Sequence, residues 1–246
     1  MEPVDFIKKI KRKAYQLVQQ LGWFNASLYL LNRLFSIISH DRIRLYKYYL
    51  IAQPVASESL LPSSKKSSVI IREINEKDEI IQNFPRPIKV IHNRFRSGAK
   101  CLVAVKDNEF IGFLWLLLDP YQEDEVRARY TPFPSEKTAW DFDVYVAPNF
   151  RLSRTFARLW SEANNILRER KIIWSCSRIS AFNNNSLSSH KCLGAKFLGN
   201  VLFVCIGKWQ LSFASIYPYF HISSNDRSFP EYRLNTDKPN DSSHSS

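Results

Sequence analysis

Hydrophobic spacing along this chain switches between helical and alternating periods, and each switch marks a change of element. Residues 1–50 carry two stripes at three-to-four spacing: Ile7, Ile10, Ala14, Leu17 and Leu21, then Phe24, Leu28, Leu31, Phe35 and Ile38. Such spacing predicts two amphipathic helices, and their stripes are expected to pack as a hairpin on the rest of the protein. Residues 43–52 predict a strand, and 54–68, rich in Ser, Pro and Lys, a linker. A short strand over 69–72 is followed by a predicted helix over 75–81. Two strands, 101–106 and 110–118, are joined by Asp107-Asn108-Glu109, a hairpin signal. Further strands are predicted at 140–146, 172–180 and 197–206. Helices are predicted from Arg151, with Phe156, Leu159, Ala163 and Leu167 on one face, and over 184–193. Residues 223–246 are rich in Ser, Asn, Asp and Pro, which predicts a disordered tail.

Composition fits a protein with a buried core, at 45% hydrophobic and 24% charged residues. A length of 246 residues suits one large domain with an appendage. Six glycines exclude collagen-like and glycine-linker architectures. The four cysteines form no C-x-x-C pair, so neither a disulfide framework nor a metal site is predicted. No signal-peptide pattern and no long apolar run is evident, which leads to the expectation of a cytoplasmic protein.

The net charge of +12 is unevenly distributed. Residues 1–50 carry +6, 119–143 carry −4 and 144–210 carry +8. An acidic segment directly before a basic one can steer two oppositely charged ligands. The basic first fifty residues admit peripheral contact with an anionic membrane, although packing is the favoured use. Nucleic acid is not expected, because Lys and Arg alone mark only a potential for phosphate.

One passage concentrates candidate chemistry: a strand ending Asp143-Val144-Tyr145-Val146, the turn at Pro148, then Arg151 and a helix. A helix start after a strand offers unpaired N–H groups and positive potential to a phosphate. Arg151, Arg154 and Arg158 add full charges. Downstream lies Asn183-x-x-Ser186-x-x-x-His190-x-x-x-Gly194-Ala195.

Together with the strand ending in Arg72 and the hairpin over 103–113, these motifs resemble the GNAT (GCN5-related N-acetyltransferase) superfamily over roughly residues 69–210. The resemblance implies an α/β fold: a mixed, mostly antiparallel central sheet of the acyl-CoA N-acyltransferase type, flanked by helices. The expected organisation is a basic helical extension over 1–54, the acyltransferase-like domain over 69–212 and the tail. It implies acetyl-CoA as acyl donor and an amine-bearing small molecule or peptide as acceptor. Acyl-CoA would contact Val144, Tyr145, Val146, Arg151, Leu152, Ser153, Arg154, Thr155, Phe156, Asn183 and Ser186. The chain departs from the pattern at Arg154 and Phe156, where small residues are usual in the loop. Arg178 stands where some relatives place a Glu base. Other relatives carry an acid on the fourth strand at the position of Asp143, so the resemblance implies Asp143 as base and His190 as proton donor, while Glu123, Glu125 and Asp141 would hold the cationic amine. Period-two alternation puts Asp141 and Asp143 on one side of their strand. The alternatives are a non-catalytic module of this fold, or an adaptor for anionic surfaces working through residues 1–50.

Overall fold

The structure is a computed structural model that describes residues 3–58 and 68–237, apart from the side chains of residues 3–10. The middle of the expected linker, the end of the expected tail, and the side chains of Ile7 and Ile10 lie outside the described residues. The chain opens with helix α1 (Pro3–Ile38) and strands β1 (Ile43–Pro54) and β2 (Val69–Ile74). A 3₁₀ turn (Glu79–Asn83), α2 (Ile88–Arg96) and the strands β3 (Lys100–Lys106) and β4 (Glu109–Leu117) follow. Then come β5 (Tyr121–Gln122), β6 (Arg129–Phe133), β7 (Thr138–Val146), a second 3₁₀ turn (Pro148–Phe150) and α3 (Thr155–Glu169). The last elements are β8 (Trp174–Ser180), α4 (Asn184–Cys192), β9 (Lys196–Ile206), β10 (Trp209–Ala214), β11 (Phe220–Ser223) and β12 (Glu231–Asn235). The fold is α/β and largely antiparallel: β2–β3, β3–β4, β4–β7, β9–β10 and β10–β11 run antiparallel, and β7–β8 parallel. No described helix is long and apolar enough to cross a membrane.

Two compact units divide the chain: residues 1–51, 122–129 and 178–232 form one, and 52–121, 130–177 and 233–246 the other. In the second unit, β4 is buried from Ile111 onward. On one face, Phe113 and Trp115 meet Phe84, Phe110, Tyr145, Phe95 and Phe142 in a cluster of aromatic rings. Such rings bring large apolar area and prefer the offset and edge contacts seen here. On the other face α3 buries Leu159, Trp160, Ala163 and Leu167, the stripe its spacing announces, with Phe156 half-buried.

Three sequence expectations need correction. Residues 75–78 are not helical, and the helix of this region is α2, where no element is expected from the sequence and where a proline usually breaks a helix. Pro87 instead sits just before the first helical turn, where its missing N–H costs no hydrogen bond. Residues 231–235 form β12, with Tyr232 and Leu234 fully buried, so two apolar side chains override a polar composition. The third concerns α1. Gly22, at φ 74° and ψ 162°, breaks it into the two expected segments, in a conformation that residues with a Cβ avoid. Yet the second segment turns its polar side inward. Asn25 donates to the Tyr49 hydroxyl at 2.8 Å and accepts from Lys47 Nζ at 2.9 Å. Asn32 Oδ1 accepts from the Leu45 backbone N–H at 2.8 Å. Of the predicted stripe, Phe24, Leu31 and Ile38 are exposed, and Leu28 and Phe35 half-buried.

Gly112 marks the tightest approach in the second unit. A Cβ there would lie 2.6 Å from the Tyr145 carbonyl oxygen and 3.5 Å from Leu159 Cδ1. Gly112→Ala should therefore force β4 from β7 and destabilise the protein by about 1–3 kcal/mol, measured by urea unfolding. Unchanged stability would show that the strands can part without cost.

Candidate functional site

β7 carries the local geometry on which the candidate site depends. Against β4 its register runs Trp115↔Phe142, then Phe113↔Tyr145, so Asp143 and Val144 together oppose the single Leu114. This is a β-bulge, and Asp143 takes φ 47° within it. Both oxygens of the Asp143 carboxylate are engaged. Arg86 Nε donates at 2.8 Å, Arg86 Nη2 donates to the other oxygen, and Arg94 Nη1 donates at 2.6 Å. The guanidinium of Arg94 also lies over Trp115 and Phe142, 5.5 and 5.2 Å from their ring centres. Phe142 and Asp143, neighbours in sequence, thus face the same way. Asp141 is left on the opposite face, where it accepts from Ser175 Oγ at 2.5 Å. Period-two alternation fails here because the bulge adds one residue.

The parallel β7–β8 ladder pairs Thr138 to Trp140 with Trp174 to Cys176. Asp141 is the next residue on β7. It is buried, and burial pushes its carboxyl up to about 7 against the opposing pull of the Ser175 and Ser177 hydroxyls. Beyond Val146, Ala147 donates to the Ile111 carbonyl, the Pro148–Phe150 turn follows, and α3 begins at Thr155. In the connecting turn, Arg151, Leu152, Ser153 and Arg154 are exposed. Arg151 Nε donates to the Val146 carbonyl at 3.3 Å. Ser153 Oγ donates to the Phe150 carbonyl at 2.6 Å and accepts from the Thr155 N–H at 3.2 Å. The serine thus ties the turn to the first residue of α3.

The remaining candidates belong to the first unit. Glu123 is buried, and Arg178 donates to its two oxygens at 2.6 and 2.7 Å. Arg178 Nη2 reaches Glu125 at 2.8 Å, and the Tyr48 hydroxyl donates to the same Glu125 oxygen at 2.7 Å. The Arg178 guanidinium stacks 4.3 Å from the centre of the Tyr48 ring. Arg178 thus holds two carboxylates. His190 is buried in α4, and burial lowers its pKa to about 4, so the imidazole is neutral at physiological pH. Asn183 caps α4 by accepting from the Ser186 N–H at 3.1 Å.

Sequence reasoning missed Arg86, Arg94, Ser175 and Tyr48. Only Arg94 left a signal, in the Ile88, Ile91, Phe95 spacing of α2.

A carboxyl raised to about 7 binds its proton more tightly in the folded than in the unfolded state, where about 3.9 is usual. Stability from Asp141 is thus full below pH 4 and declines as pH rises from about 4 to 7, then levels off. Asp141→Asn should remove this decline and leave the protein more stable at pH 8 by a few kcal/mol. Urea unfolding of both proteins between pH 4 and 8 measures it, and parallel curves would contradict the assignment.

The model of the acetyltransferase (GNAT) family matches residues 69–195, just over half of the chain. No curated protein matches. Among solved structures, a functionally unknown conserved protein from Staphylococcus epidermidis is 12% identical with a TM-score of 0.48, covering 71% of this chain and 66% of its own. A Drosophila protein is 14% identical with a TM-score of 0.47, covering 72% and 57%. A GNAT family acetyltransferase from Elizabethkingia anophelis, with acetyl-CoA bound, is 14% identical with a TM-score of 0.40, covering 52% and 75%. The chain thus spans less than two thirds of the length of the first two. Its match to the family model across the hairpin, the bulged strand, the basic turn and the capped helix makes it a member of the acetyltransferase (GNAT) family.

Proposed function

We propose that the protein is a CoA-dependent N-acyltransferase that moves an acetyl group from acetyl-CoA to an amine. One observation carries this reading: a bulged strand, past the end of its ladder with β8, leads directly into a basic turn and the start of α3. Bulges re-aim backbone groups and interrupt pairing, which leaves N–H and C=O groups for an extended ligand. Val144, Tyr145 and Val146 supply that edge. Arg151 and Arg154 supply charge to a pyrophosphate, with Leu152, Ser153, Thr155 and Phe156 shaping the turn. When bound, acetyl-CoA supplies an activated thioester.

The bulge also redistributes the acid–base roles. Asp143, held between two guanidinium groups, serves as an anchor for the strand. Asp141, titrating near neutrality, is matched to accept a proton from an amine. A neutral His190 has no ionised proton to give, and water can protonate the departing thiolate, whose reference pKa is about 8.5. In the first unit, Glu123 is committed to Arg178, and Glu125, with its side chain half-exposed, accepts from Arg178 and Tyr48.

Calorimetry with acetyl-CoA and with free CoA tests the donor. Micromolar binding is expected, and Arg154→Ala should weaken it by about 1.5–3 kcal/mol, the scale of a hydrogen bond to a charged group. No binding at millimolar ligand would favour a non-catalytic module, a reading supported by the bulk at Arg154 and Phe156.

Once an amine acceptor is found by CoA release, the two acids can be separated. Asp141→Asn should lower turnover by about 10²–10⁴ with little change in CoA affinity. Asp143→Asn should act first on the melting temperature. The opposite pattern would return the base to Asp143.

A further inference from the structure

The second segment of α1 is amphipathic the wrong way round for a helix that only packs. Its inward side holds Asn25 and Asn32, each bonded to β1, with Ala26 buried and Leu28, Tyr29 and Phe35 half-buried. Its outward side holds Trp23, Leu30, Leu34 and Ile37 at spacings of seven, four and three, flanked by Leu31 and Ile38. Trp23 is 79% exposed, Ile37 and Ile38 69%, and Leu30 53%. Ser27, the polar residue within this arc, donates its hydroxyl to the Trp23 carbonyl at 2.9 Å and so carries no unmet donor. Six large side chains in water on one helix face exceed what scattered surface apolar residues explain.

We propose that this face inserts into the surface of an anionic bilayer, with the second segment of α1 lying in the headgroup plane. Charge selects the occupant. α1 contains six Lys and Arg (Lys8, Lys9, Lys11, Arg12, Lys13 and Arg33) and a single acid, Asp5. A second copy would bring the same positive charge against itself, whereas anionic lipids neutralise it. Cationic residues with tryptophan and aliphatic side chains on one face are the composition of an interfacial helix. Insertion depth is limited, because the opposite side of the segment is tied to β1 through Asn25 and Asn32.

The test is flotation of the full chain with vesicles of phosphatidylcholine alone and with vesicles containing about a third phosphatidylserine. The chain should float with the anionic vesicles, at least about tenfold more than with the neutral ones, and 0.5 M salt should reduce the difference, as expected for a screened attraction. The double variant Leu34→Glu/Ile37→Glu changes only exposed positions, so it should melt as the wild type does and lose binding about tenfold or more. Bromolipid quenching of the wild type should fall selectively in Trp23→Phe, a readout independent of the double variant's folding. Absence of flotation with either vesicle, flotation unaffected by the double variant, or quenching unaffected by Trp23→Phe would each overturn the proposal. So would a wild-type dimer in sedimentation that the double variant abolishes without any vesicle binding, because a second copy would then be the occupant.

Discussion

The pairing of one carboxylate with two guanidinium groups underlies the geometry of the second unit. Asp143 cannot leave the bulge without stranding Arg86 and Arg94, and Arg94 in turn lies over Trp115 and Phe142 in the aromatic core. Breaking such a partly buried pair leaves an uncompensated charge, which costs more than the pair itself contributes. The ion pair therefore fixes where β7 bulges. The bulge then fixes which residue faces which side, and how the chain enters the basic turn before α3.

Three acids of the chain meet burial in three ways, and the difference sorts their chemistry. Asp143 accepts from two arginines, which engage both of its oxygens. Glu123, in the first unit, accepts from Arg178 at both of its oxygens, and the backbone N–H groups of Asp124 and Glu125 add two more donors. Asp141 has only hydroxyl partners, and a hydroxyl cannot offset the loss of water around a full charge, so its proton affinity rises. Anchors and titrating groups are thus distinguished by the partner opposite, not by residue type.

Much of the scaffold was legible in the sequence because it depends on local pattern. The β3–β4 hairpin follows from two apolar runs around Asp107 and Asn108, whose positive φ values of 50° and 64° suit a tight turn. The face of α3 follows from the spacing of Leu159, Ala163 and Leu167. Motif order over roughly residues 69–210 pointed to the family whose model matches 69–195, since it needs only residue type and interval. The helical periodicity of α1 was equally visible, and so was a break near Gly22.

The sequence by itself therefore determined the β3–β4 hairpin, α3, α4 and the strands around them, the family, and the concentration of positive charge at both the N-terminus and the turn before α3. Tertiary structure alone decided which acid meets arginines, which meets hydroxyls, and which side of α1 meets water. Those outcomes depend on partners far away in the chain: Arg86 and Arg94 reach Asp143 across some fifty residues, and Tyr48 and Arg178 reach Glu125 from either side. A single bulge residue inverts the parity of a strand, and two asparagines bonded to β1 invert the orientation of a helix. Periodicity reports that two faces differ; only the partner each face finds reports which one is buried.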